Sequence, residues 1–139
     1  MKILIMGLSG SGKTTLAKAL AYQLGAVHFN ADDIRNNINK DLGFSLTDRL
    51  EQAKRLGHLC DIVNKSGHIA IADFICPTHE TREAFNPSFV VWLDRIAESN
   101  YPDTDKLFEK PDADVIITPD QSLITALAVV LKAIEDIKY

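Results

Sequence analysis

No dense run of Lys and Arg occurs anywhere in the 139 residues, and the net charge is −4. Nucleic acid is therefore disfavoured as a principal partner, while a local basic pocket for a small anion stays open. Cysteine is scarce. Cys60 and Cys76 are the only two, too few for a disulfide framework and without metal-ligand spacing, which suits a reducing, cytoplasmic setting. No apolar stretch approaches the length of a membrane-spanning helix. The apolar start, Met1 to Met6, is too short for a signal peptide and runs straight into a glycine-rich turn. No membrane partner is expected. There is no internal repeat and no low-complexity segment. What remains is ordinary globular composition, at a length that suits one domain over residues 1–139.

The stretch that organises the chain is Gly7-Leu8-Ser9-Gly10-Ser11-Gly12-Lys13-Thr14, which fits G-x-x-x-x-G-K-[ST], the phosphate-binding P-loop. Ile3 to Met6 before it reads as a buried strand, and Thr14 to Leu24 after it as a helix. A phosphate chain needs several backbone N–H groups pointing inward, in a turn that side chains would obstruct. The loop opens onto a helix N-terminus, where free N–H groups and the helix dipole favour an anion. Residues Gly7 to Thr14, with Thr15, are thus candidates to bind ATP. Lys13 would reach the β- and γ-phosphates, and the Thr14 hydroxyl would bind Mg²⁺. A glycine-rich turn with a chance lysine is the bland alternative, and the correct flanks on both sides speak against it.

Along the chain, Leu16, Ala19, Leu20 and Leu24 form one apolar stripe, and Gly25 is a candidate C-cap. Ala26 to Phe29 is a second strand, ending at Asn30-Ala31-Asp32-Asp33, where a helix should begin and run to about Leu42. Ser45 to Asp48 starts the next helix, with Leu46, Leu50, Ala53, Leu56, Cys60 and Val63 facing inward. Ile69 to Ala72 is a third strand, apolar throughout and followed by Asp73. A short helix around Glu80 to Phe85 leads to the fourth strand, Phe89 to Leu93, followed by Asp94. Residues 95–114 read as a polar loop with one helical turn, before the fifth strand at Val115 to Thr118 and a final helix. Strands alternating with helices predict an α/β fold, a parallel sheet covered on both faces. Ligands in such folds sit at the strand C-termini, here the P-loop, Asp32, Asp73 and Asp94. Each of these carboxylates has capping or a solvated turn as its bland alternative.

These residues carry a resemblance to adenylylsulfate (APS) kinases. The P-loop with Thr15-Leu16-Ala17 looks like the opening of that family. Asp32-Asp33-Ile34-Arg35 resembles its Asp-Asn-Ile/Val-Arg. Asn39-Lys40-Asp41-Leu42-Gly43-Phe44-Ser45 followed by Asp48-Arg49 resembles its Leu-Asn-x-Asp-Leu-Gly-Phe-Ser-x-x-Asp-Arg block. Ile75-Cys76-Pro77 with Arg82 resembles Ile-Ser-Pro and the arginine that follows it. The resemblance implies a three-layer P-loop kinase fold with a five-stranded parallel sheet in the order 2-3-1-4-5. It implies the reaction of ATP with adenylylsulfate to ADP and 3′-phosphoadenylylsulfate, in sulfate assimilation, and a possible homodimer.

By the same resemblance, Lys13, Asp32 and Arg82 would be catalytic. Asp32 would take the ribose 3′-hydroxyl proton or help hold Mg²⁺, and Arg82 would sit near the transferring phosphate or the substrate anion. Arg35 and Arg49 would bind the phosphosulfate, a suitable task for guanidinium. Phe44 would stack on or line the adenosine, with a plain core aromatic as the alternative. Arg55 falls on a family arginine but reads better as a helix-surface ion pair. The family's Asp-Gly-Asp is Asn30-Ala31-Asp32 here, one carboxylate short, and Asp73 is expected to replace it beside Thr14 and Asp32 at the metal. The family's mobile lid, with its basic cluster and Phe-Thr-Gly turn, has no counterpart in the short segment from Asp94 to Asp114. That leaves two alternatives in play: a kinase for another small anionic hydroxyl compound, such as a nucleotide or sugar acid, and a nucleotide-binding module with little turnover.

Overall fold

The computed structural model describes residues 1–138. The apolar runs form strands β1 (Lys2–Met6), β2 (Val27–Asn30), β3 (Ala70–Asp73), β4 (Phe89–Leu93) and β5 (Val115–Ile117). All pair in parallel, in the order β2-β3-β1-β4-β5, the 2-3-1-4-5 sheet that the resemblance implied. The helices are α1 (Lys13–Leu24), α2 (Ala31–Asn37), α3 (Leu46–Lys65), α4 (His79–Phe85), α5 (Pro102–Leu107) and α6 (Leu123–Lys138).

The period of two along β1 sorts the core into two layers. Ile3 and Ile5 join Leu16 and Leu20 of α1 and Val130 and Ile134 of α6 on one face. Leu4 and Met6 join Ala53, Leu56 and Cys60 of α3 and Phe85 of α4 on the other. A strand so covered can hold no polar side chain at its centre, which is why β1 reads as an unbroken apolar run. The chain leaves β1 for β2, and β3 later fills the gap between them, while β4 pairs on the other side of β1. The strand order therefore reverses at β1, and the crevice beyond its C-terminus is where such sheets bind ligands.

Two expectations change. The helix expected to reach Leu42 ends at Asn37, because the Ile38 and Asn39 amides both close onto the Ile34 carbonyl. Asn39 then turns inward and donates to Gln52 Oε1 at 2.7 Å. Leu46, expected inward, is 47% exposed. The first turn of α3 borders the crevice rather than the sheet, and the fully buried stripe starts only at Gln52 and Ala53. Arg55 bonds both oxygens of Asp41 at 2.9 Å and also reaches Asn39 and Glu51, the ion pair that its sequence position favoured.

Helix α3 packs on α4 at Gly57, where an added Cβ would lie 2.8 Å from the Phe85 carbonyl oxygen and 3.3 Å from Lys2 Nζ. Gly57→Ala would gain about 1 kcal/mol of helix propensity. Overpacking against backbone that cannot yield costs about 1–3 kcal/mol. The clash should win, and urea unfolding of Gly57→Ala should show a lower midpoint; an equal or higher midpoint would contradict this packing.

Candidate active site

The loop from Gly7 to Gly12 turns tightly between β1 and α1. At Gly7 a Cβ would meet the Leu93 carbonyl oxygen at 2.7 Å and Ser11 Oγ at 2.8 Å, so nothing larger than glycine fits. Helix α1 has no side-chain cap and no acidic residue in its first turn, unlike α2, α3 and α4, which Asn30, Ser45 and Thr78 cap. Its first amides are left for an anion. The Ser11 hydroxyl, buried in the loop, has no hydrogen-bond partner among the described residues. Lys13 Nζ rests on the Leu8 carbonyl at 3.0 Å. Burial pushes its ammonium below the ordinary lysine range, against the pull of Asp73 and Asp32. An added phosphate would relieve both the orphaned groups and the desolvated ammonium.

Beside this cradle lies a polar cluster. The Thr14 hydroxyl, in the first turn of α1, donates to Asp73 Oδ1 at 2.9 Å. Asn30 Nδ2, at the end of β2, donates to the same oxygen at 3.1 Å and lies 3.1 Å from Thr14 Oγ1. His28 Nε2 bonds Asp73 Oδ2. Asn30 and Asp73 are register partners on neighbouring strands, so a carboxylate at either position meets Thr14. Asp73 is 2% exposed, and such a buried carboxylate needs all of these partners.

Asp32, Arg35, Phe44 and Arg49 line the same cleft. Asp32 is in the first turn of α2, 80% exposed at its side chain, and its Oδ1 accepts from Arg35 Nη1 at 3.1 Å. Arg35 lies over the Phe44 ring at 4.4 Å and Arg49 at 5.6 Å. Phe44 itself is 64% exposed, so it is no core aromatic. Burial lowers the pKa of both arginines, and for Arg49 the neighbouring Arg35 charge adds to it. Arg35 Nε is buried with no partner among the described residues. Two adjacent guanidinium groups, one with an unused donor, are a demand for an anion. Ser9, Gly10, Gly12, Lys13 and Thr14 of the P-loop line one cleft of about 270 Å³ together with Asp32, Arg35, Phe44, Arg49 and Asp73; Gly7, Leu8 and Ser11 lie behind its wall.

Some expected residues are not brought there. Arg82 does not line the cleft. Its guanidinium turns away onto the carbonyls of Cys76, Pro77 and Glu109, beneath the Phe108 ring. Those carbonyls lie in irregular segments and need donors, which the buried arginine supplies. The guanidinium is thus engaged away from the cleft, where it was expected near the transferring phosphate or the substrate anion. Asp32, expected at the metal with Thr14 and Asp73, bonds neither and pairs with Arg35 instead. Asp94 is exposed and outside the cleft, with its amide bonded to Ile117. The loop from Thr118 to Ser122 does not line it either.

The short segment after β4 is well anchored. The Ser99 amide and hydroxyl donate to the Asp105 carboxylate of α5 at 2.7 and 2.6 Å. Phe108 stacks on Trp92 at 6.0 Å, and the Glu109 amide donates to the Pro77 carbonyl at 2.7 Å. Thr104 Oγ1 accepts from Arg49 Nη2 at 2.9 Å. Pro77 and Arg49 both line the cleft, so this segment braces its wall. Thr104, Gln52 and His28 escaped the sequence reading because each acts on a residue far away in the chain. A histidine two positions before the β2 terminus was the one local signal.

A family model described as adenylylsulphate kinase matches residues 1–93, ending where β4 ends. An adenylyl-sulfate kinase of Oceanobacillus iheyensis is 30% identical over 165 residues, covering 96% of this chain and 83% of that protein. That length exceeds this chain, so the relative carries residues that are missing here. The enzyme of Bacillus velezensis is 42% identical over 84 residues, 57% of this chain and 43% of that protein. Among solved structures, the Mycobacterium tuberculosis APS kinase CysC in complex with AMPPNP and APS is similar with a TM-score of 0.86. It is 26% identical, and 96% of each chain is covered. A shikimate kinase from Acinetobacter baumannii shares the fold at a TM-score of 0.67 and 19% identity, covering 99% of this chain and 94% of that one.

Cys76 stands at the cleft, and burial pushes its thiol up to about 12, as it does that of Cys60. The thiolate is the reactive form. Both cysteines should therefore resist a disulfide reagent at pH 8 in the folded protein and react promptly in urea. Rapid native-state labelling of Cys76 would mark it as a reactive thiol instead.

Proposed function

The chain belongs to the adenylylsulphate kinase family, whose members are ATP-dependent kinases, and we propose that it phosphorylates adenylylsulfate at the ribose 3′-hydroxyl. The observation that carries this reading is the joining, in one cleft, of a phosphate cradle with the Arg35, Phe44 and Arg49 cluster. The cradle takes the phosphates of ATP through its free amides and Lys13. Arg35 and Arg49 take the phosphosulfate, and Phe44 offers its exposed ring to the adenosine.

The donor set suits magnesium, since Thr14 Oγ1 and Asp73 Oδ1 are hard oxygens side by side at the cradle. Bound there, the ion would neutralise charge on the β- and γ-phosphates. Asp73 takes over the carboxylate that Asn30 lacks, and Asn30 keeps it turned toward Thr14. In the transfer itself, the 3′-oxygen forms a bond to the γ-phosphorus. The bond to the bridging oxygen breaks, and its electron pair leaves on ADP. The hydroxyl proton passes to the Asp32 carboxylate, which Arg35 holds in place. A homodimer and a cytoplasmic location belong to the same reading, as do nucleic acid and membrane being absent from its partners.

ADP release from Mg·ATP should require adenylylsulfate and yield 3′-phosphoadenylylsulfate. Asp32→Ala should lower it by about 10²–10⁴-fold, and Lys13→Ala by about 10²–10³-fold. Tight ATP binding with no acceptor-dependent turnover would overturn the assignment. In a magnesium titration, Asp73→Asn should need roughly tenfold more metal for half-maximal rate; an unchanged titration would remove Asp73 from the metal site.

A further inference from the structure

His28 belongs to no motif and does not line the cleft, yet its ring bonds Asp73, which does. It sits on β2, two residues before Asn30, so both side chains leave the same face of the strand. Both end on Asp73, but on different oxygens. Asn30 and Thr14 engage Oδ1, and His28 Nε2 engages Oδ2. The imidazole is 13% exposed at its side chain, and Asp73 2%. Without His28, the Asp73 carboxylate is held at one oxygen only and is free to tilt about its last side-chain torsion. With His28 on the second oxygen, the plane of the carboxylate is fixed and its first oxygen stays toward Thr14.

We propose that His28 is a positioning residue that holds Asp73 with Oδ1 toward Thr14, so that the magnesium-side carboxylate is set before the metal arrives. This rests on the reading of Asp73 as that carboxylate. A carboxylate ligand is oriented by the groups hydrogen-bonded to it, and losing such a partner typically costs about 10–100-fold in metal affinity. The pair looks at first like a brace between β2 and β3. The ladder already joins those strands over four registered residue pairs, however, from Val27 with Ala70 to Asn30 with Asp73. A further brace is not needed there, whereas orientation of a buried carboxylate is.

The experiment is a manganese titration of the ADP-loaded full chain, followed by electron paramagnetic resonance of free Mn²⁺. ADP affinity in EDTA is measured in parallel. His28→Ala and His28→Leu remove the donor; His28→Gln keeps an N–H that can reach Oδ2. The donor-less variants should bind Mn²⁺ roughly tenfold more weakly. His28→Gln should recover most of that, and ADP affinity without metal should stay unchanged in all of them. Native-like Mn²⁺ affinity in His28→Ala or His28→Leu would overturn the proposal. So would His28→Gln binding as poorly as these, or metal-free ADP affinity falling in step. If neither donor-less variant folds, His28 is a structural brace and the proposal fails. Asp73→Asn separates the two layers of the reading. Native-like Mn²⁺ binding in Asp73→Asn would remove Asp73 from the metal site altogether. Weak binding there with native-like His28 variants would reject only the positioning role.

Discussion

The 2.9 Å contact between the Thr14 hydroxyl and the Asp73 carboxylate ties the first turn of α1 to the end of β3. It exists because three separate requirements meet. The P-loop must end in a helix whose first amides are free. Strand β3 must lie next to β1, so that its last residue stands beside that helix. A carboxylate 2% exposed must find donors from outside its own strand. Thr14, Asn30 and His28 come from two other elements and meet those needs together.

The two sides of the cleft are built on different physical terms. The phosphate side is backbone, where glycine permits close approach and a helix start supplies amides. The opposite side is side chains, where Arg35 and Arg49 flank an exposed aromatic ring. Their charges are only partly compensated. Asp32 serves Arg35, and Arg49 has a carbonyl and a hydroxyl but, among the described residues, no carboxylate. A cleft with unused cationic capacity on both walls and carboxylates at Asp32 and Asp73 between them suits an anionic substrate that must shed a proton.

The segment after β4 shows how a short connection can be ordered without a long lid. Trp92 supplies a surface for Phe108, and Arg82 caps carbonyls of two irregular stretches at once. Through Thr104 the segment also reaches Arg49. The family model stops at Leu93, just before this region, and the Oceanobacillus relative is longer than this chain. The cleft wall braced by α5 is therefore a feature to be understood from this chain's own contacts.

The P-loop, the five strands and the caps at Ser45 and Gly25 were legible in sequence because each depends on neighbours within a few residues. Glycine spacing, an apolar run and a capping side chain all act locally. The sheet order came from the resemblance. Asp73 was suspected as the replacement carboxylate from the loss at Asn30, but its contact with Thr14 awaited the register of β2 and β3. Tertiary structure alone decided which partner each long polar side chain takes. Arg82 went to buried carbonyls rather than the cleft, Asp32 to Arg35 rather than Thr14, and His28 to Asp73. Sequence shows what a side chain can donate or accept. Which groups are left unpaired within its reach is settled only when distant segments pack, because a buried polar atom must be satisfied by whatever the fold brings near.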